Sequence, residues 1–251
     1  MRTHFFILSS FCIAGTSHAG IVNVLSPDVG ETEEGWNSSA KISLQHLAGN
    51  ESKLAVSLLA GTRYRHGANE IFLKGSGDWG SASEEVYSKK AFAHVRYKRQ
   101  LHNAWSAFGF AQVDHNEFRS LLMRDLLGGG IEWTFIDTPH FKANVAAGIM
   151  GELEWALGND SASDPTWRSS NYLTLAWEPN ESMSFGSTTF VQPLVSNPGD
   201  VRAFEQIDLK IDLTSHLAWS TTWKIEMDSQ PADSTVETVD SSIKSGLVLS
   251  W

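Results

Sequence analysis

One cysteine, Cys12, stands in the whole 251-residue chain, and it lies inside the N-terminal apolar run. Everything downstream is free of thiols, which excludes a disulfide framework and thiolate metal sites there. A chain of this length can bury enough surface to fold without such staples. Long apolar runs are also missing. Past the N-terminus no uninterrupted stretch approaches the roughly 18 residues that would read as a transmembrane helix. Basic residues are outnumbered, 19 Lys and Arg against 29 Asp and Glu, for a formal net charge of -10. That balance argues against a nucleic-acid partner. Against these absences stand ten tryptophans in a largely polar chain, and they need a place to sit.

The N-terminus opens with Arg2 and His4, continues through Phe5-Phe6-Ile7-Leu8 and Phe11-Cys12-Ile13-Ala14, and reaches Ser17-His18-Ala19. A basic start, a short apolar stretch and a small-x-small site are the parts of a secretory signal peptide, so residues 1–19 read as one, cleaved after Ala19. A lipoprotein would need small residues just before the cysteine, and Phe11 stands there instead. Residues 20–37, with Pro27, Gly30, Glu31, Glu33 and Glu34, carry neither a helical nor a strand period and read as a solvated periplasmic leader.

From residue 38 to 251 the chain reads as strand after strand, with apolar and polar residues in alternation. In 53–65, Leu54, Val56, Leu58, Ala60 and Tyr64 oppose Lys53, Ser57, Arg63 and Arg65. In 141–155, Phe141, Ala143, Val145, Ala147, Ile149, Leu153 and Trp155 oppose Lys142, Asn144, Glu152 and Glu154. Further strands are expected at 38–48, 70–79, 89–99, 104–115, 122–136, 167–178, 183–194, 203–214, 217–228 and 243–251. The faces of 104–115 are less clean, because Phe108 and Phe110 fall on the polar side. Gly128-Gly129-Gly130 predicts a bend or bulge within 122–136.

Alternation alone suits a soluble sandwich as well as a membrane barrel, and three features favour the barrel. The strands are long, roughly 10–14 residues where a spanning strand needs about 9–11, and they come in an even number, about twelve. With the N-terminus in the periplasm, the connections near 66–69, 100–103, 137–140, 179–182 and 214–216 are short, while the longer ones near 80–88, 156–166 and 229–238 fall on the outer side. Aromatics of the apolar face cluster at strand ends: Tyr64, Tyr97, Trp105, Trp133, Phe135, Phe141, Trp177, Phe185, Trp219 and Trp251 toward the periplasmic rim, Trp79, Trp155 and Trp167 toward the outer rim. The fold expected is all-β, a closed antiparallel up-and-down transmembrane β-barrel of about twelve strands.

In such a barrel the polar face lines the lumen. It carries Arg63, Arg65, Arg96, Lys98, Arg124, Glu132, Lys142, Glu152, Lys210 and Lys224 among others, both signs with a basic excess. These residues either brace the interior as salt bridges or line a porin-like narrow pore with mild anion preference. The final stretch Ile243–Trp251 alternates and ends on tryptophan. It resembles the closing strand of outer-membrane barrels, and the resemblance implies that Leu247, Leu249 and Trp251 form the signal read by the outer-membrane assembly machinery. The expected location is the cell outer membrane of a Gram-negative cell, as a multi-pass protein in contact with outer-membrane lipids and lipopolysaccharide. No cofactor, metal or nucleic-acid partner is implied, and the oligomeric state is left open.

Two stretches resemble the YdiY-like salt-induced outer membrane proteins, a domain-of-unknown-function family. One is Gly35-Trp36-Asn37-Ser38-Ser39 through Leu47-Ala48-Gly49-Asn50. The other runs from Phe108-Gly109-Phe110-Ala111-Gln112-Val113-Asp114 through Arg124 and Gly128-Gly129-Gly130 to Phe135-Ile136-Asp137-Thr138. The chain departs at Trp133, where the family commonly has tyrosine. The family has no agreed activity, so the resemblance implies a fold and a location but no mechanism.

Enzymatic outer-membrane barrels need a nucleophile or activated water beside a base near one rim. The candidates are Asp114-His115 at the outer end of its strand, Ser215-His216 in a periplasmic turn, and His94 with Glu132 or Asp114 inside the barrel. Sequence neighbours on a continuing strand point to opposite faces, so neither adjacent pair makes a dyad. The expectation is a non-enzymatic protein with either a structural, envelope-stress role or a narrow passive pore, and a lipid-modifying hydrolase using a rim histidine is the alternative. Oxygen ligands also gather at Asn159-Asp160-Ser161 to Asp164, where a solvated loop is the simpler reading than a Ca²⁺ site.

Overall fold

The structure is a computed structural model that describes residues 21, 23, 25, 34–47, 53–82, 85–117, 121–156, 162–230 and 237–249. It is all-β. The strands are β1 (Gly35–Leu47), β2 (Lys53–His66), β3 (Asn69–Ala82), β4 (Glu85–His102), β5 (Trp105–Asn116), β6 (Leu121–Asp137), β7 (Phe141–Ala156), β8 (Thr166–Ser169), β9 (Asn171–Asn180), β10 (Met183–Pro193), β11 (Val201–Asp212), β12 (Leu217–Asp228) and β13 (Val239–Leu249). All belong to one 13-stranded sheet in which each strand pairs antiparallel with its sequence neighbour, except that β7 pairs both β8 and β9. No helix among the described residues is long and apolar enough to cross a membrane.

The period-2 pattern accounts for the strands, and the long ladders hold its register. β1 and β2 pair without a slip from Gly35–Arg65 to Leu47–Lys53. Four differences from the sequence expectation have local causes. The strand count is 13 rather than about twelve, because 167–178 is cut at Ser170 into β8 and β9. The long outer connection expected at 80–88 is mostly strand: β3 runs to Ala82 and β4 starts at Glu85, with Trp79 opposite Lys89. Gly128-Gly129-Gly130 pairs regularly with Phe110, Gly109 and Phe108, and the register shifts of β6 flank it instead, at Leu121–Met123 and Thr134–Ile136. Finally, the stretch expected as a solvated leader already joins β1 at Gly35, and its described residues Ile21 and Leu25 pack against the interior.

The glycines are needed because the strands approach closely here. A Cβ on Gly130 would lie 2.3 Å from the carbonyl oxygen of Ala147, and one on Gly148 2.5 Å from that of Gly129. On Gly128 it would meet the Phe110 ring at 2.7 Å. The ring of Phe110, on the polar side of β5, lies over the space that Gly128 leaves.

The two faces of the sheet have opposite character. One is open and apolar: Ile42, Leu44 and Leu127 are 75%, 71% and 70% exposed. The other is covered and largely polar: Arg124 and Glu152 are 4% and 3% exposed. The cover comes from the sheet itself. Arg96 of β4 bonds Tyr172 of β9, Arg202 of β11 bonds Glu152 of β7, and Lys74 of β3 interacts electrostatically with Asp208 of β11 and Lys224 of β12. The sheet therefore curls until distant strands meet across an interior. Among the described residues no ladder joins β1 to β13.

The ends of the strands differ too. At one end the links 67–68, 103–104, 138–140, 181–182 and 213–216 are tight. The first turns on Gly67 at φ 56° and the second on Asn103 at φ 49°, both left-handed positions. At the other end 157–165, 194–200 and 229–238 are longer, while 83–84 is as short as the tight links. Aromatics band the open face near the tight end. Trp36 packs on Tyr64, Trp105 stacks on Trp133 at 5.7 Å between ring centroids, and Trp177 lies between Phe141 and Phe185 in the ladder.

Candidate functional site

The interior holds two layers of contact, one aromatic and one ionic. The aromatic layer is built by register. Tyr172, Phe190 and Phe204 are direct ladder partners on β9, β10 and β11, and successive ring centroids are 5.7 and 6.2 Å apart. Phe108 reaches across from β5 to within 5.6 Å of Tyr172. Arg96 closes the layer: its guanidinium sits 3.9 Å above the Phe108 ring and donates from Nη2 to the Tyr172 hydroxyl at 2.5 Å. The Tyr172 hydroxyl donates in turn to Glu132 Oε2 at 2.5 Å, and Lys98 binds the other carboxylate oxygen. Charge, hydrogen bond and ring face are thus all satisfied in one bridge across the interior.

The ionic layer lies toward the end with the longer links. Glu152 is its centre. Arg202 donates to it at 2.7 Å, Arg168 at 3.3 Å, and Arg124 lies 3.9 Å away. Arg124 is held on its other side by Asp114, whose Oδ2 accepts from Nε and Nη2 at 3.2 and 3.0 Å. Arg168 forks onto Asp200 through Nη1 and Nη2 at 3.0 and 3.2 Å, and Arg202 faces Asp228 at 3.4 Å. Asp200 closes the link 194–200, so this layer also ties that link over the interior. Three arginines around one buried carboxylate is a bracing arrangement, and two of them also reach a second acid, Glu154, 3.9 Å from Arg124 and 3.8 Å from Arg202.

Between the layers, His94 stacks over Phe110 at 5.6 Å. Its Nδ1 lies 3.0 Å from Gln112 Oε1, and Gln112 Nε2 donates to Asp114 Oδ2 at 2.9 Å. His94 Nε2 is buried and has no hydrogen-bond partner among the described residues. Glutamine therefore separates His94 from Asp114, and Glu132 is occupied by Tyr172 and Lys98.

The family model described as "Protein of unknown function, DUF481" matches residues 40–251. The chain belongs to the DUF481 family. That agrees with the likeness to a domain-of-unknown-function family read from the sequence. No curated protein matches the chain.

In this DUF481 chain, Arg96, Arg124, Glu132 and Glu152, expected on the polar face, are buried; Arg96, Glu132 and Glu152 bond across the interior, and Arg124 bonds to the neighbouring strands β5 and β7. Lys98 joins them through Glu132. The other expected lining residues stay nearer their own strands. Arg63 pairs with Glu70 at 3.8 Å, Lys142 with Asp137 at 3.9 Å and Lys210 with Asp212 at 2.8 Å. Arg65 is half-buried opposite Glu70, and Lys224 lies near Lys244 and Glu226. Of the expected assembly signal, Leu247 is 58% exposed on β13 and Leu249 pairs with Leu217; Trp251 lies outside the described residues. Asn159-Asp160-Ser161 also lie outside them, and among the described residues no three metal-ligating side chains converge.

The rim pair separates as strand geometry requires. Asp114 turns inward to Arg124, while His115 turns outward, its Nδ1 2.6 Å from the Leu122 carbonyl oxygen and its Nε2 3.7 Å from Glu117. Ser215-His216 sits in the turn before β12, where the His216 amide donates to Thr214 Oγ1. Tyr172, Phe190 and Phe204 escaped the sequence reading. Their signal was present: each is an aromatic at the polar parity of its strand, as Phe108 is.

Proposed function

We propose that this DUF481 protein is an integral outer-membrane β-barrel of non-enzymatic character, whose interior is a narrow passage for small ions braced by charge. The observation that carries this is the inverted polarity of the sheet. Leu127 lies 70% exposed on one face, and Arg124, three residues earlier on the same strand, is 4% exposed on the other. A water-soluble sheet would bury the leucine. In a bilayer the apolar face meets lipid, and the polar residues keep their partners inside.

The aromatic band supports the same reading, since amphipathic rings favour the lipid–water boundary. A bilayer also offers no partner to an open strand edge, so in this reading β1 and β13 pair and close the ring. The last strand then serves as the signal for outer-membrane assembly. The alternative, a lipid-modifying hydrolase, would need a base beside a nucleophile, and Asp114 and His115 face opposite ways.

The test is membrane extraction followed by bilayer recording. The full chain is expected in the detergent-soluble membrane fraction, and after refolding it is expected to give small, salt-dependent conductance steps. A monomer soluble without detergent would overturn the membrane reading. Silence in every salt of the inserted wild type and of an inserted variant carrying Ile21→Asp and Leu25→Asp alike would overturn the passage. Phospholipid or lipopolysaccharide turnover lost on His115→Ala would replace both with the hydrolase.

A further inference from the structure

The aromatic and ionic layers fill much of the interior, and β4 to β11 supply most of their residues. On the side walled by β3 and β12, Lys74 of β3 interacts electrostatically with Asp208 of β11 and Lys224 of β12. Into the interior come Ile21, Asn23 and Leu25 of the chain's own N-terminal segment. Ile21 and Leu25 pack against the cluster of Phe108, Ala146, Tyr172, Phe190 and Phe204. Ile21 also shares a small cavity with His94, Phe110 and Arg202. Lys74 Nζ donates to the main-chain oxygen of Asn23 at 2.8 Å, and the Asn23 side chain accepts from the Leu25 amide at 2.9 Å. Two apolar anchors, a cation on a backbone carbonyl between them and a local turn are a seated peptide rather than a tail passing through.

We propose that this segment is an internal stopper. Ile21 and Leu25 occupy the aromatic wall, Lys74 holds the main chain between them, and together they close the passage that the bridging layers leave. The stopper rests on the outer-membrane passage reading, but its seating does not. The occupant is this chain's own segment, argued from the contacts it makes. The attachment is apolar on one side and a single cation on the other. It is thus weakened by charge at the anchors and less so by loss of Lys74.

Two measurements decide it, both on the full chain. In the first, refolded protein is recorded in planar bilayers as wild type, as Ile21→Asp with Leu25→Asp, as Lys74→Met, and as the conservative Ile21→Leu with Leu25→Ile. Each buried aliphatic side chain lost corresponds to about tenfold or more in occupancy of the seat. The double aspartate variant is expected to raise open probability by at least about tenfold, Lys74→Met by less, and the conservative pair to match wild type. Equal conductance of inserted wild-type and aspartate proteins would overturn the stopper and leave the barrel standing.

In the second, single-thiol proteins are built in a Cys12→Ser background and treated with a water-soluble maleimide. Leu25→Cys is expected to react at least about tenfold more slowly than Leu213→Cys in an exposed turn, until urea unfolds the protein. Equal rates in the folded state would overturn the seating, whatever the solvent. A protein that never inserts but protects residue 25 would overturn the membrane reading and the stopper together, leaving only a docked segment.

Discussion

Arg96 on β4 and Tyr172 on β9 meet across the interior, the guanidinium Nη2 2.5 Å from the hydroxyl and its carbon 5.2 Å from the ring centroid. Both are buried, and the same hydroxyl donates to Glu132. Tyr172→Phe keeps the ring and removes the link that serves two charged groups. The expected loss is about 1–3 kcal/mol, the cost of leaving a buried polar group without its partner. A urea titration of refolded protein in micelles, showing a lower midpoint at unchanged slope, checks it.

Arg124 stands between Asp114 and Glu152. Arg124→Met leaves two buried carboxylates without that cation, and breaking a buried pair from one side costs about 3–5 kcal/mol. Arg124→Met combined with Asp114→Asn is expected to recover part of the loss. A thermodynamic cycle over the single and double variants measures the coupling, and strict additivity would contradict it.

Gly130→Ala tests the close strand approach. The new methyl would sit 2.3 Å from the Ala147 carbonyl oxygen, against main chain that cannot swing aside. A loss of about 1–3 kcal/mol is expected from overpacking. Gly67→Ala removes no space but strains a residue at φ 56°, and a loss of about 1 kcal/mol is expected.

Leu127→Arg separates lipid from water at the open face. On a water-soluble surface the change would stay within about 0.5 kcal/mol. On a lipid-facing strand it costs about 2–4 kcal/mol near the midplane and less toward the rims. Urea midpoints in lipid vesicles are expected to fall for Leu127→Arg and to hold for Asp137→Arg, which lies exposed at the end of β6.

Most strand positions were readable before any coordinates. β12 spans Leu217–Asp228, where alternation of Leu217, Trp219, Trp223, Ile225 and Met227 against Lys224, Glu226 and Asp228 put it. A strand shows through because its neighbours in sequence alternate in environment. Connections were less readable. Residues 80–88 are rich in Ser and Glu, which reads as a loop, yet most of them continue β3 and β4 beyond the aromatic Trp79. The candidate site was readable only in part. Arg124 and Glu152 could be assigned to a face, but the meeting of Glu152 with Arg202 joins strands far apart in sequence. The N-terminal segment misled for a related reason. Ile21 and Leu25 show no periodicity of their own, because they pack on a wall supplied by other strands.

What the sequence determined alone is the face of each side chain. Strand geometry turns successive residues to opposite sides, so the order of Asp114 and His115 already separated them, and the parity of Phe108 already sent it inward. What only the tertiary structure decided is which inward residues touch. That depends on how far the sheet curls and on the summed register of several ladders, neither of which is a local property of the chain. Arg96 and Tyr172 are 76 positions apart. They meet because five strands bend around the space between them, where glycines let β5, β6 and β7 draw close enough for the bend.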